Sequence, residues 1–139
     1  MKNEIVLRFC IWDFEDQTPD QITNLLQISP SKVFIKGERK NPKFAPIAEA
    51  NSWFLNASAG KYAPFEDQMR WLVGIMEAKT EIFRSLSEKY YCEFSCAFYI
   101  YIGNGESTPS VHLEPYAIEF LNRLKVEFDI DILLLENKD

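Results

Sequence analysis

One histidine and three cysteines are all that 139 residues supply of the commonest soft metal ligands. An odd cysteine count leaves no complete disulfide framework. A domain of this length buries enough surface to fold without a staple or a metal. No run of about 18 apolar residues exists, which leaves no candidate membrane-spanning helix. The opening MKNEIVLRF holds a short apolar stretch broken by polar residues, so signal-peptide architecture is missing. With free thiols, this is the pattern expected of a cytoplasmic protein. Positive charge is also short: Lys and Arg number 15 against 21 Asp and Glu, for a net charge of -6. Phosphate affinity draws on cationic charge, so the balance argues against nucleic acid or an anionic membrane as partner.

The usual catalytic signatures are missing too. Cys92 and Cys96 lie four apart in a predicted strand, roughly 13 Å from each other. That spacing is too wide for one zinc ion, and small buried hydrophobes is the simpler reading. His112 stands in a loop near Ser107, Thr108 and Ser110, with no G-x-S-x-G elbow to orient a nucleophile. Gly103-Asn104-Gly105 lacks the third glycine and the lysine of a phosphate-binding loop, and Glu106 follows it. It reads as a turn. The acidic residues Asp13, Glu15, Asp16 and Asp20 lack EF-hand spacing and read as a solvated turn before a helix. No metal site and no cofactor are expected.

What is present is a folded globule, 47% apolar and 14% aromatic. The stretch YCEFSCAFYIYI alternates with period two: Cys92, Phe94, Cys96, Phe98, Ile100 and Ile102 against Tyr91, Glu93, Ser95, Ala97, Tyr99 and Tyr101. That is a strand with two faces. The first strand, Glu4 to Asp13, alternates likewise, with Ile5, Leu7, Phe9 and Ile11 opposed to Val6, Arg8, Cys10 and Trp12. Thr18, Pro19 and Gln21 form a helix start with a capping box, and Ile22, Leu25, Leu26 and Ile28 form its apolar stripe. Short strands follow at Ser31 to Lys36 and Ser52 to Ala57, separated by a loop holding Pro42 and Pro46. Phe65 to Tyr90 is helical, with a break expected near Lys79 to Thr80. A helix over Glu114 to Leu124 and a strand over Val126 to Leu135 close the chain.

The order is β-α-β-β-α-β-α-β. This predicts a single α+β domain: a ferredoxin-like βαββαβ core extended by a further αβ, with a five-stranded, mainly antiparallel sheet and helices on one face. The helix phrase TPDQITNLLQISP, then FIKGE, the lone tryptophan in NSWFL and the ending FDIDI resemble domain of unknown function 4279. Pro30, Gly37, Glu38, Trp53, Asp129 and Asp131 carry the resemblance, which covers nearly the whole chain. It implies a bacterial protein of a family without an established activity, and it transfers no catalytic residues.

Two surfaces stand out. With the apolar alternates turned to the helices, Arg8, Trp12, Glu93, Tyr99, Tyr101, Asp129 and Asp131 share the other sheet face, and Glu127 continues the row. Tyr, Trp and Arg are the residue types enriched at interface hot spots. The segment from Lys32 to Lys43 sets Lys32, Lys36, Arg39, Lys40 and Lys43 against Glu38 alone. It would suit phosphate or an acidic protein, or simply guard a sheet edge. The expected function is non-enzymatic protein binding through the sheet face or the basic loop, to an unidentified partner or to a second copy. An immunity-like role, neutralising a toxin, is an analogy with other small acidic domains. The alternative is a small-molecule site, on the sheet face or at a dimer interface, in which Tyr99, Tyr101 and Trp12 stack an aromatic ring. An enzyme using Glu93, Asp129 and Asp131 ranks last.

Overall fold

The computed structural model describes residues 1–41, 43 and 46–138. Pro42, which punctuates the long loop, lies outside them. Five strands and four α-helices follow the expected order: β1 (Glu4–Phe14), α1 (Pro19–Leu26), β2 (Lys32–Phe34), β3 (Asn51–Asn56), α2 (Phe65–Met76), α3 (Thr80–Lys89), β4 (Tyr91–Ile102), α4 (Pro115–Leu124) and β5 (Glu127–Glu136). The helical stretch does break where Lys79 interrupts the apolar stripe. A 3-10 turn over Glu77–Lys79 separates α2 from α3.

The sheet order is β2-β3-β1-β4-β5. β3 runs antiparallel between β1 and β2, and β1 runs antiparallel between β3 and β4. The first four strands thus make two interlocked split βαβ units, as the α+β reading requires. β5 joins β4 in parallel through α4. The sheet stays open at both ends.

Local chemistry explains the elements. At α1, Gln21 N–H donates to Thr18 Oγ1 (3.2 Å) while Thr18 N–H donates to Gln21 Oε1 (2.8 Å), closing the capping box. Pro19 begins the helix, and Gln27 ends it at a φ of 57°. The stripe differs from expectation at one residue: Ile22, Leu26 and Ile28 are buried, whereas Leu25 is exposed. Ile22 and Leu26 stand four apart on the face that α1 buries, and Leu25, turned about 100° from Leu26 around the helix, falls outside it. In α2, Phe65, Met69, Leu72 and Met76 are buried as their spacing requires.

The core lies between the helices and one sheet face. Leu7, Phe9 and Ile11 of β1, Trp53 and Leu55 of β3, and Phe94 and Cys96 of β4 meet Leu72, Met76, Phe83 and Phe120. Phe9 packs edge-to-face on Phe83 and Phe94, with ring centroids 5.1 and 5.5 Å apart. Trp53 is fully buried and its indole N–H donates to Thr23 Oγ1 at 3.0 Å, which ties β3 to α1.

One polar side chain in this core completes the sheet. β3 pairs with β1 only from Arg8 onward. Upstream, Gln68 of α2 reaches down and supplies the missing partner. Its Oε1 accepts from Leu7 N–H (3.0 Å), and its Nε2 donates to Ile5 C=O (2.8 Å). The same amide also donates to the carbonyls of Gly60 and Ala63. Buried peptide groups left without partners cost about 1–3 kcal/mol each. Gln68→Leu is therefore expected to lower stability by about 3 kcal/mol. Urea unfolding checks this: the midpoint should fall with the slope unchanged, and an unaltered midpoint would show that Gln68 is dispensable.

Candidate functional site

The helix-free face is built by alternation, and the strand registers map it. One cross-strand row runs Lys32, Phe54, Cys10, Glu93, Glu127. The next runs Asn56, Arg8, Ser95, Asp129, and beyond it Val6, Ala97 and Asp131 lie in line. Tyr99 and Tyr101 follow, opposite Leu133 and Leu135.

The β2 side of this face is an aromatic cluster. Phe54 takes Trp12 edge-on at 4.8 Å and Phe34 edge-on at 5.2 Å. The Arg8 guanidinium lies 4.6 Å from the Phe54 ring centre and 5.9 Å from that of Trp12. Lys32 and Lys40 stand over the Phe34 ring at 5.0 and 5.2 Å. The long loop closes on this end: Pro46, Ile47, Glu49 and Lys40 line a cavity of about 190 Å³ with Trp12 and Phe34. Basic loop and sheet face are thus one continuous surface at Phe34.

The face is less open than alternation suggests. Cys10, Phe54, Ser52 and Glu93 are all buried: Phe54 lies among Trp12, Phe34 and Arg8, and Ser52 beside Pro46, Ile47 and Glu49 of the loop. A bulge also re-aims the end of β1. Asp13 takes a φ of 55°, the register shifts between Ile11 and Phe14, and Phe14 turns into the core. Asp13 therefore belongs to a bulge and not to an acidic turn.

Glu93 is held on two sides. Trp12 Nε1–H donates to its Oε1 at 3.3 Å. The Tyr91 hydroxyl lies 2.8 Å from Glu93 Oε2 and 2.7 Å from Glu127 Oε2. Hydrogen bonding to Glu127, then to Glu93, raises the Tyr91 phenol above its ordinary range. Farther along, Asp129 and Asp131 are exposed, and Tyr99 and Tyr101 are half-buried.

The structure gathers Arg8, Trp12 and Glu93 and leaves the two tyrosines apart. Trp12 pairs with Tyr91, eight residues from Tyr99 along β4, a separation of about 26 Å. One small ring cannot stack on all three, which corrects the expectation of a shared Trp12, Tyr99 and Tyr101 site. Of the basic residues, Lys36 pairs with Glu15, Arg39 bridges to Ile47, and Lys43 is exposed. Only Lys40 joins Lys32 on Phe34. Sequence reasoning passed over Phe34, Phe54 and Tyr91 as site residues. The signal for Phe54 was available: in NSWFLN, Trp53 and Phe54 are adjacent, so one of them had to face away from the helices.

Elsewhere the chemistry is quiet. Burial pushes the thiols of Cys10, Cys92 and Cys96 up to about 12, with Arg8 opposing and Glu93 reinforcing the shift at Cys10. Asp16 is held below its usual range by the Tyr90 hydroxyl first and Lys89 second. His112 is exposed in its loop. No cluster of three metal-ligating side chains occurs among the described residues. No helix among them is long and apolar enough to cross a membrane.

A model of a family described as a domain of unknown function, DUF4279, matches residues 3–135, and the chain belongs to that family. No curated protein and no solved structure matches it.

The thiol shifts set an alkaline limit. The unfolded chain loses its thiol protons near pH 9, whereas the fold retains them to about pH 12. The unfolded state then binds fewer protons, so this stability is complete below pH 9 and declines as pH rises toward 12. Native protein at pH 8 should leave a chromogenic disulfide reagent unreacted, and denatured protein should consume three equivalents, one for each cysteine. Rapid reaction of the native state would show that a thiol is accessible.

Proposed function

We propose that this member of the family is a non-enzymatic protein-binding module whose recognition surface is the helix-free sheet face, continued by the loop at its β2 edge. One observation carries the reading: Arg8 is laid over Phe54 and Trp12, with Lys32 and Lys40 on the adjoining Phe34. Partly covered aromatic and guanidinium groups, ringed by charge, are what interface hot spots are made of. Across the sheet the charge changes sign, from Lys32 and Lys40 on one side to Glu127, Asp129 and Asp131 on the other. Such a gradient favours one orientation of a partner over its reverse. Neutralising a toxin is one form this binding could take. High thiol pKa values and exposed Asp129 and Asp131 support a role without catalysis.

The second reading, a small-molecule domain, draws on a different place. A cavity of about 610 Å³ opens between the end of α1, the end of β3 and α2, walled by Ile28, Leu55, Trp71 and Ile75. That size suits a small ligand, since such sites usually span about 300–1,000 Å³. The cavity beside Trp12 is smaller than that range.

Immobilised wild-type protein and the variants Arg8→Ser and Trp71→Ser separate the readings. If the sheet face recognises a protein, Arg8→Ser weakens capture by about thirtyfold, a hot-spot loss of about 2 kcal/mol. Trp71→Ser then leaves capture intact. Capture that survives Arg8→Ser refutes the sheet-face surface. A metabolite that raises the melting temperature of wild type but not of Trp71→Ser favours the second reading.

A further inference from the structure

The two edges of the sheet are protected unequally. β2 is three residues long, carries Lys32 and adjoins the lysine-bearing loop. Short, charged edges resist pairing. β5 runs ten residues, holds neither lysine nor proline, and among the described residues has a strand neighbour on one side only. Its beginning is covered, because Phe128 packs against the core and edge-on to Phe65 of α2, with ring centroids 5.9 Å apart. The next alternate positions are left uncovered: Ile130, Ile132 and Leu134 are 43%, 64% and 65% exposed, and Ile102 at the end of β4 is 61% exposed. A row of peptide groups without a strand partner and a row of exposed aliphatic side chains therefore lie on the same ten residues.

We propose that β5 pairs antiparallel with β5 of a second copy, about a two-fold axis at Ile132, joining the two sheets into one. Side-chain placement selects both the occupant and the direction. On the helix-free face the strand reads Glu127, Asp129, Asp131, then Leu133 and Leu135. With the axis at Ile132, that side chain meets its own copy and Ile130 meets Leu134. On the other face Asp131 meets Leu133 and Asp129 meets Leu135. No carboxylate stands opposite another, and every aliphatic residue of the exposed row meets an aliphatic one. A parallel pairing through the same edge would need a two-fold axis along the strand, which turns the second sheet over and sets its row of Ile130, Ile132 and Leu134 on the opposite face from that of the first copy. The same ten residues are thus self-complementary in one direction only, as an isologous interface demands. This surface is separate from the aromatic cluster, which lies across the sheet near β2 and stays accessible in such a dimer.

Sedimentation equilibrium of the full chain, run over a wide concentration range, tests the pairing. The wild type should reach twice its chain mass, and Ile132→Lys should stay at chain mass with an unchanged circular dichroism spectrum. A second variant fixes the register. Ile132→Cys should form a disulfide-linked dimer under mild oxidant, while Glu127→Cys, at the far end of the strand, should not. Wild type at chain mass throughout overturns the proposal. So does a dimer that survives Ile132→Lys, or one lost in Trp12→Ser, which would place the contact on the aromatic end of the sheet face.

Discussion

The sheet depends on how the first half of β1 is satisfied. β1 is the strand that both β3 and β4 pair with, yet β3 reaches only to Arg8. Ile5 and Leu7 would leave peptide groups buried and unpaired on that side. Gln68 answers both with one side-chain amide, and Lys61 C=O takes the Ile5 N–H at 2.8 Å. Because Gln68 belongs to α2, the helix layer and the central strand are fixed to each other by hydrogen bonds as well as by packing. With the helices held there, the alternation of β1 puts Leu7, Phe9 and Ile11 under them and Arg8 and Trp12 on the far side.

The far side is organised by competition between covering and exposure. The aromatic cluster of Phe34, Phe54 and Trp12 is too apolar to stand alone in water. The loop after β2 lies against Trp12 and Phe34, and these two rings pack edge-on against the buried Phe54. Arg8 lies over the rings and keeps a charge at the surface. At the opposite side, β5 carries carboxylates with no such cover. The proposed recognition surface follows from this imbalance: a stacked cation beside a lysine-rich edge, facing a row of acids across the sheet.

Much of this was legible in the sequence. The alternation of YCEFSCAFYIYI gave the two faces of β4, and Thr18 with Gln21 gave the start of α1. The break at Lys79 followed from the interrupted stripe. The family resemblance, carried by Pro30, Gly37, Glu38, Trp53, Asp129 and Asp131, matched the family assignment. Four features were hidden for physical reasons. Alternation says that a strand has two faces and nothing about what covers each, so the burial of Cys10 and Glu93 could not be read. Gln68 looks like any polar helix residue, because its partners on β1 lie more than sixty positions away. The Asp13 bulge rests on a backbone conformation that the residue tolerates but does not announce. The division of Trp12 from Tyr99 and Tyr101 needed the strand register, which composition and spacing do not contain.

The central claim is that recognition belongs to the helix-free face near Arg8, Trp12 and Phe34. Hydroxyl-radical footprinting of the free chain and of its complex with the protein it captures tests this most directly. The account predicts that Trp12 and Phe34 lose labelling in the complex while Trp71 and Tyr116, on the helix side, keep theirs. Protection of Trp71 with unchanged labelling at Trp12 and Phe34 would contradict it.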